Sequence, residues 1–247
     1  VTDTMLVAVY HDCMKEYPDL TQLENQFHDA FRYLKYYFPE APAPRVYSYI
    51  SGFDYRNPVQ LAGENILIAL DLYLGAGYPR YKQLGVPAYV LEGFDRKYIL
   101  RDAMTEIAKT SIPFDRAGNK LLDRMILEGK IKWFVHAMLP DISQEALFGY
   151  TPAQLTWAKE NEGLVWAFIL ENEMLYSPDP MVNRKFIGQN PFTSYFGQES
   201  PPRLGQYIGY RMVDQYMQRN SGVNLLQLLQ NSDAQKILQR SGYKPKL

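Results

Sequence analysis

The chain has 247 residues, 47% of them hydrophobic, which is enough to bury a sizeable core without disulfides or a structural metal. Its 26 basic and 27 acidic residues leave a net charge of −1 with no run of five like charges, which excludes the electrostatic footprint of a nucleic-acid-binding protein. No apolar stretch approaches the roughly 20 residues needed to cross a bilayer, and the segment from Val1 to Tyr10 lacks the basic start of a signal peptide. The chain is therefore either cytosolic or has lost a targeting segment. The unusual feature is aromatic: 14% of residues, with 20 tyrosines. Tyrosine joins an apolar ring to a polar tip, which suits it both to element ends and to surfaces that bind other molecules.

In chain order, Asp19 to Phe38 predicts an amphipathic helix, because Leu20, Leu23, Phe27, Phe31 and Leu34 share one face. Pro39, Pro42 and Pro44 end it. Arg45 to Ser51, Val59 to Leu61 and Ile66 to Tyr73 predict three short strands, with a turn at Gly63-Glu64-Asn65, and so one small sheet near the N-terminus. Helices are then expected over Ile99–Lys109, Lys120–Leu139 and from Pro152 to about Glu173. The last carries a capping box of Thr151 and Gln154. Ser177 to Pro202, with five prolines, predicts a long ordered loop, and Ser200 a cap for a helix from Pro201 to about Arg219. Short helices over Asn224–Leu229 and Asp233–Arg240 close the chain at Gly242. With no repeat, linker or composition shift, residues 1–247 are expected to form a single domain. The class is α+β, predominantly helical, with a small N-terminal sheet on a helical body.

The chemistry is sparse. His11, His28 and His136 are the only histidines, and no two lie within a helical turn, so the spacing of a zinc hydrolase is missing. No metal or cofactor is expected. His136, near the end of its helix, reads as a C-terminal cap or a packed imidazole. Cys13 has no histidine partner in sequence, and no nucleophile elbow or phosphate-binding glycine loop occurs. Carboxylates remain. Glu162 sits on the apolar stripe of Leu155, Ala158, Val165 and Ile169, where burial would raise its pKa unless a donor pairs with it. Either it faces a ligand, or an arginine or tyrosine of a neighbouring helix holds it. Glu128 follows Leu121 and Met125 on its helix. Asp71 lies at a strand end, as a ligand-facing or turn-capping group. Gly205 and Gly209 lie four apart in their helix, which predicts close packing against another helix or against a ligand.

Several segments, taken in order, resemble the gliding-motility lipoprotein GldB family. They are Leu34-Lys35-Tyr36-Tyr37-Phe38-Pro39, Ile68-Ala69-Leu70-Asp71-Leu72-Tyr73-Leu74-Gly75, Met125-Ile126-Leu127-Glu128-Gly129-Lys130, and Gly149-Tyr150-Thr151-Pro152 with Trp157 and Asn161-Glu162. Leu175-Tyr176-Ser177, Pro201-Pro202-Arg203-Leu204-Gly205-Gln206-Tyr207-Ile208-Gly209 and Tyr243-Lys244-Pro245-Lys246 follow. The resemblance implies an envelope protein of the periplasmic side, lipid-anchored through a cysteine ahead of this chain; Cys13 is not read as that cysteine. The family is in turn similar to zincin-type metallopeptidases. The helix that should carry His-Glu-x-x-His falls near Arg101 to Thr110 and has no histidine. A zincin-like scaffold without its zinc centre is thus implied, acting by protein or peptide binding in a degenerate cleft lined by Asp71, Tyr73, Glu128, Glu162 and Tyr207. The implied partners are envelope proteins or peptides of a motility or secretion apparatus. The alternatives are a carboxylate-based hydrolase of a cell-envelope glycan or peptide, and a purely structural lipoprotein.

Overall fold

A computed structural model describes residues 3–113 and 118–246. The chain divides into two compact units, Val1–Ile107 and Ala108–Leu247, the division falling within one helix. The structure is predominantly helical α+β, the class the sequence predicts.

In the first unit, α1 (Thr4–Glu16) starts at Asp3, whose carboxylate accepts the N–H groups of Met5 and Leu6. The sequence pattern predicts no helix here. Its buried positions are only Val9 and Cys13, one turn apart, too few for periodicity to reveal it. In α2 (Thr21–Tyr37) the expected stripe is present: Leu23, Phe27, Ala30 and Leu34 are buried, while Leu20 and Phe31 flank them half-exposed. The sheet is β1 (Arg45–Tyr49), β2 (Val59–Ala62) and β3 (Asn65–Ala69), in the order β1-β3-β2. β1 runs parallel to β3 and β2 antiparallel to it. β2 turns into β3 through Gly63, whose φ of 61° is the left-handed conformation a tight turn needs. The third strand is shorter than expected. At Leu70 the chain leaves the sheet for a 3₁₀ turn, Leu70–Leu72, so Asp71 and Tyr73 lie beyond the strand and not within it. Short helices α3 (Pro79–Gln83) and α4 (Ala88–Leu91) precede α5 (Ile99–Ser111).

The second unit is built on α6 (Leu121–Met138) and α11 (Leu204–Arg219), both buried around most of their circumference. Around them lie α7 (Gln144–Phe148), α8 (Pro152–Glu160), α9 (Glu162–Glu171), α10 (Pro180–Ile187), α12 (Leu225–Gln230) and α13 (Ala234–Ser241). The crossing of α6 and α11 is made by glycines. A Cβ on Gly209 would overlap the carbonyl of Met125, and one on Gly129 that of Gly209. Gly205 instead meets α10, where a Cβ would stand 2.7 Å from Ile187 Cδ1. The glycine pair therefore packs helices, as its spacing predicts.

Three expectations need correction. The helix from Pro152 does not run through to Glu173. It breaks at Asn161, whose φ of −105° and ψ of 10° leave the helix and whose side-chain amide takes the Trp157 carbonyl at 2.9 Å. The segment from Ser177 to Pro202 is not all loop. Asp179 caps α10 with Pro180 in its first turn, so one of the five prolines that suggested irregular chain is a helix-start residue. Ser200 does not cap α11. Its hydroxyl donates to the carbonyls of Thr193 and Gly197, α11 begins at Leu204, and the buried Thr193 hydroxyl accepts the Leu204 N–H at 3.3 Å.

Candidate functional site

Asp71 is fully buried, and both its oxygens are occupied. Oδ1 accepts the Ser51 N–H at 2.9 Å, Oδ2 accepts the Phe53 N–H at 2.8 Å, and the Ser51 hydroxyl reaches both. The loop it holds is strained. Gly52 and Phe53 have φ of 70° and 66°, and a left-handed phenylalanine costs on the order of 1 kcal/mol or more. The carboxylate offsets that cost with charge-assisted bonds, and the Phe53 ring packs edge-on against Tyr81 at 5.8 Å. Tyr81 closes the arrangement by donating to the Asp71 carbonyl at 2.7 Å. Of the two readings the sequence leaves open for Asp71, the geometry is that of a turn-holding group.

Two residues on, Tyr73 is 1% exposed and donates to Asp102 Oδ2 at 3.0 Å. Its phenol is pushed well up by burial and then by the Asp102 carboxylate. Arg101 grips the other oxygen of Asp102 at 2.8 Å and stacks on Tyr98 at 4.0 Å. Beside this cluster Cys13 is buried, and desolvation, followed by the negative Asp71 and Asp12, pushes its thiol up to about 12. Such a thiol is a packing group and not a nucleophile.

In the second unit the break at Asn161 puts Glu162 in the first turn of α9, facing α11. Arg211 Nε lies 3.2 Å from both carboxylate oxygens, Tyr207 donates to Oε2 at 3.1 Å and Tyr243 to Oε1 at 2.9 Å. Both phenols are held above their ordinary range, by burial first and by Glu162 second. Burial pulls the Arg211 guanidinium down, but the Glu162 carboxylate more than offsets it and the net direction is up. Glu162 and Tyr207, singled out separately by the sequence, are thus direct partners. The sequence reading missed Arg211, Tyr243, Asp102 and Ser51. Arg211 had a signal, since it stands four residues after Tyr207 on the same helix face; Tyr243, Asp102 and Ser51 reach their partners only through the fold.

Glu128, on α6, is different. It is half-buried. Burial pushes its carboxyl up, and Lys132, Lys109, Arg203 and Arg124 pull it back only in part. His136 packs against α11, its Nδ1 2.8 Å from the Tyr210 hydroxyl.

The fold and these clusters define a helix-rich α+β protein in which Asp71, Tyr73, Glu162 and Tyr207 are hydrogen-bonded into the framework. The family model described as gliding motility protein GldB matches residues 1–245. The chain belongs to the GldB family, and membership makes it a gliding-motility-related lipoprotein. Comparison with curated proteins and with solved structures gives no match. Among the described residues no helix is long and apolar enough to cross a membrane.

Proposed function

We propose that this protein serves the gliding apparatus on the periplasmic side of the envelope by binding protein partners, and not by catalysis. The observation that carries the reading is the aromatic and apolar surface of the first unit. Tyr10, Tyr33, Tyr36, Tyr47 and Tyr55 are exposed, Tyr36 by 76%, and α1 turns Met5, Leu6, Val7 and Met14 outward. Exposed aromatic groups of this kind are enriched where proteins meet. Asp71, Tyr73, Glu162 and Tyr207 support the function by holding these units in shape, since their polar atoms already have partners. Glu128, half-buried and only partly compensated, is the candidate carboxylate for direct contact with a partner.

A photo-crosslinking residue placed at Tyr10, Tyr36 or Tyr47 in gliding cells tests this. Crosslinks to envelope proteins of the motility apparatus from those positions, and none from the buried position of Tyr207, are the expected result. Absence of protein crosslinks at every exposed position overturns the reading. So does a glycan- or peptide-hydrolysing activity that disappears in Glu128→Gln.

A further inference from the structure

In the sheet of the first unit, β1 is an edge strand: among the described residues only β3 pairs with it. The Arg45 N–H bonds the Glu64 carbonyl at 3.0 Å, in the register that sets Arg45 against Asn65. In a parallel ladder the bonding residues alternate, so Arg45, Tyr47 and Tyr49 bond β3, while Val46 and Ser48 turn their N–H and C=O groups away from it.

Backbone direction and side-chain direction share the same period of two. Val46 and Ser48 therefore also share one face, and that face lines a cavity of about 300 Å³ with Leu23, Phe27 and Phe31 of α2 and Ile68 of β3. Ser48, Glu24 and His28 line it and are exposed, so the cavity opens to solvent. Two separate features thus meet at the same two residues: unpaired strand hydrogen-bonding groups and an apolar cavity beside them.

We propose that an extended segment of a partner polypeptide adds to the sheet along β1, pairing with Val46 and Ser48 and placing alternate apolar side chains in the cavity between α2 and the sheet. The occupant follows from the geometry. Residues directly opposite one another on neighbouring strands have side chains on the same face. Whatever pairs with Val46 and Ser48 must then present every second side chain to α2, while its intervening residues stand beside the exposed Tyr47. The recognised segment is about five residues long, the length of β1, and reads apolar–polar–apolar. The backbone bonds supply affinity and the cavity supplies choice of side chain. This rests on the partner-binding reading above and gives it a site and a mode.

The test uses the whole chain and synthetic eight-residue peptides of alternating apolar and polar residues, with scrambled peptides of equal composition as controls. Binding is read by fluorescence anisotropy and by amide exchange at Val46 and Ser48. The alternating peptides are expected to bind and to slow those two amides at least tenfold. N-methylation at one alternate set of peptide positions should weaken binding about tenfold for each bond removed, while methylation at the other set leaves it unchanged. Because the protein is unaltered, no folding defect can imitate that split. Val46→Pro should reproduce the loss, since its N–H faces away from β3. Equal binding by both methylated sets, or by scrambled peptides, overturns the proposal. Protection of Val46 and Ser48 that follows protein concentration alone overturns it in favour of a second copy of this chain. Dodecanoate filling the cavity while no peptide changes those amides overturns it in favour of an acyl ligand. Crosslinks at the exposed tyrosines that persist while the peptides fail remove this site and leave partner binding standing.

Discussion

Gly129 of α6 lies backbone to backbone against Gly209 of α11, and neither position has room for a single added carbon. A side chain at either residue would have to push two main chains apart, because the atoms it meets are carbonyls and not mobile side-chain ends.

Gly209→Ala is therefore expected to destabilise the second unit by about 1–3 kcal/mol or more, even though alanine favours a helix by about 1 kcal/mol over glycine. Gly129→Ala should behave alike. Gly205→Ala should cost less, since the nearest atom is the flexible end of Ile187, and Gly222→Ala should be close to neutral, since a Cβ there meets nothing within 4 Å. Urea unfolding of the four variants checks the order. Equal losses at Gly209 and Gly222 would contradict the backbone contact.

Glu162 is the hub of three side chains, Tyr207, Arg211 and Tyr243. Glu162→Ala leaves Arg211 and two buried phenols without their acceptor, and a loss of about 2–3 kcal/mol is expected, in line with charged hydrogen bonds. Tyr243→Phe, which removes one donor and keeps the ring against Trp166, should cost about 1 kcal/mol. In a double-mutant cycle, Glu162→Ala and Arg211→Met should be clearly non-additive. Additive losses would mean the cluster is not a unit.

Asp71 ties down the left-handed turn at Gly52 and Phe53. Asp71→Ala should free the loop and lower stability by about 2–4 kcal/mol, with amide exchange at Ser51 and Phe53 accelerated before that of β3. Unchanged exchange at those two amides would show that the loop holds itself.

Glu128 gives a pH signature. Its carboxyl is raised above the ordinary 4.5 in the folded chain, so its stabilising contribution is complete below about pH 4.5 and is lost as the pH rises through the folded-state value. The stability of Glu128→Gln relative to the unaltered protein should therefore increase from pH 4 toward pH 8. A constant difference over that range would contradict the burial of the carboxylate.

Cys13 should resist a thiol reagent in the native protein at pH 8, because it is fully buried and pushed up to about 12. It should react at the rate of an ordinary cysteine once the chain is unfolded in urea. Fast native labelling would mean that α1 detaches.

Periodicity determined much of this protein. The stripe of α2, the three strands, the capping box at Thr151 and the glycines of α11 all follow from repeats of two or 3.6 residues and from local caps, which a chain carries in its own sequence. The α1 helix escaped because it buries so little, and α10 because its one proline, Pro180, opens a helix as readily as a proline breaks one. Among the site residues, sequence could mark Glu162 and Asp71 as polar groups in apolar surroundings, while Tyr207 entered only through the family resemblance. Only the tertiary structure decided that they have donors, because Tyr243 is 81 residues from Glu162 and Ser51 is 20 from Asp71. The open edge of β1 likewise depends on strand order. Local pattern fixes which face of an element is apolar, but which groups are left unpaired is settled by long-range contacts between elements.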